Sequence, residues 1–330
     1  MRVSGVVQGV GFRPFVHRLA VRHGLAGWVR NAAGDVRIAL EGPQDAIDAF
    51  LAALRSEAPP LARLEQVDTE PREPEGRRDF AILASLLGEE GRQSVSPDVA
   101  MCKACERELF DRSDRRYRYP FITCTDCGPR FSVIASMPYD RERTSMSAFR
   151  QCPACLREYA EPGDRRHHSE TNSCAACGPR LWLAAPDAQP RENDRLRAIA
   201  AAAEALAAGR IVAVRGLGGY HLACDATDEA AVRRLRRRKH REAKPLAVMV
   251  RTLEDAGRLV EIGADDAALL DSPEKPIVVL PRRADAALAP SVAPGLLSVG
   301  VMLAYTPLHH LLLDAVGLHT LMPASSMTLA

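Results

Sequence analysis

Eight of the nine cysteines in this 330-residue chain fall into four CxxC pairs: Cys102/Cys105, Cys124/Cys127, Cys152/Cys155 and Cys174/Cys177. The pairs are separated by 18, 24 and 18 residues, and a shift of 50 positions lays the first two pairs on the last two. Neighbours travel with them. Arg107-Glu108 falls on Arg157-Glu158, Asp114-Arg115-Arg116 on Asp164-Arg165-Arg166, and Cys127-Gly128-Pro129-Arg130 on Cys177-Gly178-Pro179-Arg180. The segment is an internal duplication. Two thiolates on a CxxC turn supply half of a tetrahedral shell and a second turn completes it, so the chemistry fits two structural Zn2+ ions with no open coordination position. Disulfides within adjacent CxxC pairs would restrain almost nothing between the halves. The spacing leaves the pairing open: each zinc can take one repeat, or the outer and inner pairs can combine in a cross-brace. Cys224 stands apart and reads as a small buried hydrophobe.

A second candidate site is the run Gln8-Gly9-Val10-Gly11-Phe12-Arg13, between a strand signal and a helix signal. Two glycines let successive backbone N–H groups converge, and a helix N-terminus adds positive partial charge, the features of an anion cradle. Arg13, in the first helical turn, can grip a phosphoryl or acyl oxygen through two parallel hydrogen bonds. Asn31 falls in a hairpin-turn run, Asn31-Ala32-Ala33-Gly34-Asp35, where a left-handed backbone is tolerated.

The elements that must position these residues are legible from periodicity. Arg2–Val7 alternates as a strand, and Phe12–His23 places Phe15, Val16, Leu19 and Ala20 at helical spacing. Leu25–Arg30 and Val36–Leu40 read as paired strands, Gln44–Ser56 as a helix opened by Pro43, and Leu61–Thr69 and Asp79–Leu83 as further strands. The order βαββαβ is that of a split-βαβ, ferredoxin-like sandwich. Residues 95–182 show little periodicity, and metal binding coupled to folding would hold such a loop-rich segment in shape. Ala184–Asn193 reads as a linker. From Asp194 the pattern is α/β: an Ala-rich helix to Ala208, a strand Arg210–Val214, a Gly-rich loop, a basic helix from Asp228, and strands at Leu246–Val250 and Pro276–Leu280.

The bulk numbers agree with a multidomain globular protein: 47% hydrophobic, 26% charged and a net charge of +2, which exclude a disordered chain and leave any nucleic-acid argument to local patches. No apolar run reaches the roughly 18 residues that span a bilayer, and the N-terminus lacks the blocks of a signal peptide. The expectation is a cytoplasmic protein without membrane contact, in which CxxC pairs are metal ligands.

The stretch GVVQGVGFRPFVHRLAVRHGLAGWVRNAAGDV resembles the acylphosphatase signature. The resemblance implies that the loop and Arg13 bind phosphate and that Asn31 orients the attacking water. The extension RPFV followed by the duplicated cysteine module is similar to the HypF family, the carbamoyltransferases of nickel–iron hydrogenase maturation, over almost the whole chain. The blocks Gly216–Thr227 and Lys239–Ala247 resemble the YrdC-like nucleotide-binding domain of that family. They imply phosphate contacts from Lys239, Arg241 and Lys244, with His221 near the pocket.

The fold class expected is therefore α+β multidomain: a ferredoxin-like acylphosphatase domain over residues 1–84, two four-cysteine zinc-finger modules over 95–182, and an incomplete α/β YrdC-like domain over 194–330. By the resemblance, carbamoyl phosphate is hydrolysed at the first domain and ATP with Mg2+ forms a carbamoyl-adenylate at the third. A further domain then passes the carbamoyl group to HypE. Two departures from the family pattern, Ala304 in place of proline and Met327 in place of asparagine, with Ser325 surviving as a match, lead to the expectation of a truncated or frame-interrupted member, or an N-terminal piece of one. One rival reading is a zinc-stabilised module that binds double-stranded RNA through Arg233–Arg241, where seven of nine residues are Lys or Arg. Another is an inactive fragment.

Overall fold

The structure, a computed structural model, describes residues 1–32, 34–86, 95–185, 190–192, 194–241, 243–317 and 320–327. Ala33 of the hairpin turn, residues 87–94, residues 186–189 and Asn193 of the expected linker, Glu242, Leu318, His319 and 328–330 lie outside the described residues. The chain divides into two compact units, Met1–Asp98 with Ile122–Gly178 and Val99–Phe121 with Pro179–Ala330.

The first unit opens with β1 (Arg2–Val6), α1 (Phe12–Arg22), β2 (Ala26–Asn31), β3 (Asp35–Glu41), α2 (Gln44–Ser56), β4 (Arg63–Asp68) and β5 (Phe80–Ile82). The strands form one sheet in the order β4-β1-β3-β2-β5, antiparallel except where β5 runs parallel to β2. The first four strands and two helices reproduce the expected βαββαβ order, and β5 extends the sheet at the β2 edge. Helix α1 buries Phe12, Phe15, Val16, Leu19 and Ala20, the stripe its spacing predicts. Helix α2 buries Phe50, Ala53 and Leu54. They share a core with Val3, Val29, Val36 and Ile38; each large side chain buried there contributes about 1.5–3 kcal/mol before chain entropy is counted.

The cysteine repeats differ from the loop-rich expectation in one respect. Each contains a short helix, α3 (Lys103–Phe110) and α4 (Pro153–Ala160), and each helix has the leading cysteine of its repeat, Cys102 or Cys152, at its N-cap. The duplication extends to the backbone. Arg116 N and Arg166 N both donate to an aspartate two residues back at 2.7 Å, and Arg118 and His168 share a left-handed φ of 51°.

The second unit continues with β6 (Leu183–Ala184), β7 (Pro190–Glu192), α5 (Arg195–Ala207), β8 (Val212–Arg215), β9 (Tyr220–Asp225), α6 (Glu229–Arg238), β10 (Ala247–Val250), α7 (Leu253–Gly257), α8 (Ala264–Leu270), β11 (Val278–Pro281), β12 (Ser298–Leu303), α9 (Pro307–Val316) and β13 (Thr320–Met327). Its main sheet runs β11-β12-β10-β13-β9-β8, with β10 and β12 parallel and the other neighbours antiparallel. The described ends of the expected linker pair as β6 and β7. Strands β9 and β12 were not anticipated, and Thr320–Met327, where the sequence departs from the family pattern, runs as an inner strand between β10 and β9. Helices α5 and α6 start at Asp194 and Asp228, whose carboxylates accept from the N2 and N3 amides, as N-caps do. Cys224 is fully buried in the core with Val232, Leu235, Val248 and Val301, and burial raises its thiol to about 12, so it is inert packing.

Candidate functional site

Between β1 and α1 the chain turns through Gly9 and Gly11, whose φ values of 73° and 72° lie in the left-handed region, which glycine enters without strain. A Cβ at Gly9 would stand 3.2 Å from Arg130 Cδ, and one at Gly11 3.3 Å from Thr125 Cβ. Gln8 braces the loop. Its Nε2 donates to the carbonyls of Ala32 (2.8 Å) and Asp35 (3.0 Å), and its Oε1 accepts from Tyr139 N at 3.2 Å. Arg130 Nε donates to Gly9 O, and Ser96 Oγ to Gln8 O at 2.5 Å. Val10 and Phe12 turn into the core. The loop is thus rigid, with the N-terminus of an 11-residue helix behind it.

Arg13 is 8% exposed. Its Nη1 donates to Asp140 Oδ1 at 3.0 Å, and its Nη2 to Glu170 Oε1 at 2.9 Å and to Tyr139 O at 3.2 Å. Asn31 is fully buried beside it. In one amide orientation its Nδ2 donates to Tyr139 O at 3.4 Å. In the other, which satisfies both groups, its Oδ1 accepts from Arg13 Nε and Nη2 at 3.3 Å. Arg13 and Asn31 are therefore brought together at the base of the loop. Burial opposes the guanidinium charge, but Glu170 and Asp140 outweigh it and raise Arg13. Burial also raises Glu170, against the pull of Arg13.

Several members of this cluster escaped the sequence reading: Tyr139, Asp140, Glu170 and the histidines His17, His167 and His168. The rings of His17 and His167 are 5.6 Å apart and those of His167 and His168 4.7 Å. Burial lowers His167 to about 4 and, with Arg13 beside it, His168 to about 3. A signal was present in the duplication. Fifty positions upstream of His167, His168 and Glu170 stand Tyr117, Arg118 and Pro120, so the repeat loses its symmetry where the second copy meets Arg13.

The cysteine sulfurs gather as Cys102, Cys105, Cys124 and Cys127, and as Cys152, Cys155, Cys174 and Cys177, with all four ligand atoms of each group within 4.8 Å of one another. The pairing left open by spacing is thus sequential, one group per repeat. Sulfur separations of 3.8 Å for Cys124–Cys127, Cys152–Cys174 and Cys174–Cys177, and 3.6 Å for Cys177–Cys155, are far from a disulfide. Ligands at about 2.3 Å from a tetrahedral zinc stand about 3.8 Å apart, so the groups fit that ion. Burial disfavours the Cys152 thiolate, yet hydrogen bonds from Cys155, Cys174 and Cys177 bring it down to about 6.

In the second unit the basic run is only partly a solvated face. Arg236 is buried, and its guanidinium donates to the carbonyls of Ser291 (2.5 Å), Arg241 (2.8 Å) and Val292 (3.1 Å). Arg241 donates back to Lys244 O at 3.3 Å and Pro245 O at 2.6 Å, stapling the loop, while Lys244 is exposed and Lys239 half-buried. His221 Nε2 lies 2.6 Å from Tyr305 Oη, and the His309 ring stands 5.4 Å from that of His221 and 4.7 Å from that of Tyr305. Burial, with a contribution from Lys239, lowers His221. Tyr305 and His309 were not anticipated.

The acylphosphatase family matches residues 1–82, the HypF finger residues 101–134 and 152–184, and the family described as telomere recombination residues 204–329. The carbamoyltransferase HypF2 of Cupriavidus necator is 52% identical over 316 residues, 94% of this chain. The chain belongs to the HypF family. The HypF of a Synechocystis species is 50% identical over 95% of the chain. A crystal structure of full-length HypF in the phosphate- and nucleotide-bound form superposes with a TM-score of 0.90 at 40% identity over 98% of the chain. HypF of T. kodakarensis does so with 0.88 at 40% identity over 98%. The chain spans 39–42% of the length of these HypF relatives. Among the described residues, no helix is long and apolar enough to cross a membrane.

Proposed function

We propose that this chain carries the acyl-phosphate and nucleotide chemistry of a HypF-type carbamoyltransferase, with carbamoyl phosphate as its first substrate. The observation that supports it best is the meeting of Arg13 and Asn31 beneath a loop held by two left-handed glycines. The loop amides and Arg13 would take the phosphoryl oxygens and offset the charge that grows on them. Asn31 would orient a water for attack on phosphorus. The water oxygen adds to phosphorus as the bond from phosphorus to the carbamoyl oxygen breaks, giving carbamate and inorganic phosphate, which keeps the water's protons. Acylphosphatase chemistry is assigned to residues 1–84, two structural zinc ions to 95–182, and use of ATP with Mg2+ to 194–330, where Lys239, Lys244 and His221 remain the candidate contacts. Zinc would supply rigidity, with each ion held by the four cysteines of one repeat. HypE is the proposed acceptor for the complete reaction of the family, and the cytoplasm its place.

Phosphate release from carbamoyl phosphate by the purified chain tests the first step, with acetyl phosphate as a second substrate. Arg13→Ala and Asn31→Ala should each abolish most of it; a rate unchanged in Arg13→Ala would sink the assignment.

A further inference from the structure

Arg13 carries two carboxylates that neither the family resemblance nor the expected site contained, and they are held very differently. Glu170 is 2% exposed at its side chain. Besides Arg13, it accepts from Tyr159 Oη at 3.3 Å (Oε1) and 3.1 Å (Oε2), and from Arg141 N at 3.0 Å. Its backbone is pinned too, since Arg141 Nη1 donates to Glu170 O at 2.6 Å and to Asn172 O at 3.0 Å. Glu170 cannot leave Arg13 without stranding a buried hydroxyl and a backbone amide. Asp140 is 26% exposed, and its side chain meets Arg13 through Oδ1; Oδ2 makes no hydrogen bond among the described residues. Its departure would return one carboxylate to water and free Nη1.

We propose that Glu170 is the positioning residue that fixes the Arg13 guanidinium, and that Asp140 is a placeholder which the substrate's phosphoryl oxygen displaces from Nη1. The division follows from satisfaction. A saturated, buried acceptor holds a planar fork in one orientation, whereas a partly exposed acceptor with one contact exchanges for a doubly charged anion that makes stronger charge-assisted bonds. With Asp140 in place, Nη1 has an acceptor before substrate arrives, while Glu170 holds the charge of the buried cation on the other side. The inference rests on the reading that Arg13 binds phosphate, and the experiment keeps the two separable.

The probe is inorganic phosphate, titrated calorimetrically into the full zinc-loaded chain, with KM and kcat for acetyl phosphate measured alongside and thermal unfolding confirming that each variant is folded. Asp140→Asn weakens the competitor, so phosphate should bind about three- to tenfold tighter and KM should fall. Glu170→Gln should bind phosphate about tenfold more weakly and lose kcat, an effect of opposite sign on the same arginine. A purely structural role for either residue would change the unfolding temperature and leave the phosphate affinity of the folded protein alone. Unchanged or weaker binding in Asp140→Asn overturns the placeholder, and unchanged affinity in folded Glu170→Gln overturns the positioning role. Should Glu170→Gln not fold, Tyr159→Phe removes one of the supports of Glu170 and should weaken phosphate about threefold; no change there counts equally against the proposal. If Arg13→Ala binds phosphate as well as the parent, the phosphate reading itself fails.

Discussion

Arg13 and Glu170 are 157 positions apart in the chain, yet Nη2 of one lies 2.9 Å from Oε1 of the other, both with side chains under one-tenth exposed. The contact joins the N-terminal turn of α1 to the loop that follows α4 in the second cysteine repeat. Truncating one partner of a buried ion pair leaves the other charge without compensation, at a cost of about 3–5 kcal/mol. Arg13→Ala should therefore destabilise the protein by that order as well as remove activity. Combining it with Glu170→Gln should recover more than about 1 kcal/mol. Urea unfolding of the two single variants and the double variant measures this, and strict additivity would show that the pair is not coupled in the folded state.

On the proposed mechanism, Asn31 separates binding from chemistry. It is fully buried and its contacts are Arg13 and Tyr139 O, so Asn31→Ala removes an orienting amide and adds no charge. Phosphate affinity should stay within about threefold of the parent while kcat falls about a hundredfold or more, the scale of losing one polar group that acts in the transition state. Equal losses in both quantities would make Asn31 a ligand for the ground state instead.

How much of this was legible differs from residue to residue, for physical reasons. Gly9, Gly11 and Arg13 sit within one turn of chain, so their joint meaning is local and shows in spacing. The cysteines were readable because a repeat is compared with itself. Asp140 and Glu170 were not, because the partner of Arg13 is chosen by packing across 127 and 157 positions, where no periodicity operates. Helices α3 and α4 are eight residues each, too short to show a helical period, and their caps are metal-ligand candidates and not the usual Ser or Asp. Arg236 was hidden in a run of seven basic residues; it is buried because the carbonyls of Ser291, Arg241 and Val292 converge on it, a property of the fold and not of the run.

The sulfur geometry makes the metal sites independently testable. Because each repeat closes its own group of four cysteines, the native chain should carry two zinc ions, and Cys177→Ser should lose one and keep the other. Cys105→Ser should do the reverse. Metal content by emission spectroscopy of the double variant Cys105→Ser/Cys177→Ser decides between this and a cross-brace: sequential sites lose both ions, whereas in a cross-brace of outer and inner pairs both substitutions fall in the same site and one ion remains.

Acid stability should be governed in part by histidines that the fold keeps neutral. His309 is 3% exposed, and neither ring nitrogen has a hydrogen-bond partner among the described residues. Burial, helped by His221 and His310, lowers it to about 3, and burial likewise leaves His168 at about 3 and His167 at about 4. Unfolded, each takes up a proton below about 6.5. Between that value and the folded one the unfolded state binds more protons, so the unfolding free energy rises with pH, by up to about 1.4 kcal/mol per pH unit for each histidine. The contribution is therefore complete above about pH 6.5 and is lost as the pH falls toward 4 and then 3. His309→Phe keeps a ring in the same buried place beside His221 and Tyr305 but cannot take up a proton when unfolded. Urea unfolding followed between about pH 7 and about pH 5 should give a shallower slope for the variant, by about one proton, whatever the carboxylates and zinc ligands contribute to both proteins. Parallel slopes would mean that His309 titrates normally in the folded chain, and that water reaches the ring between α9 and His221.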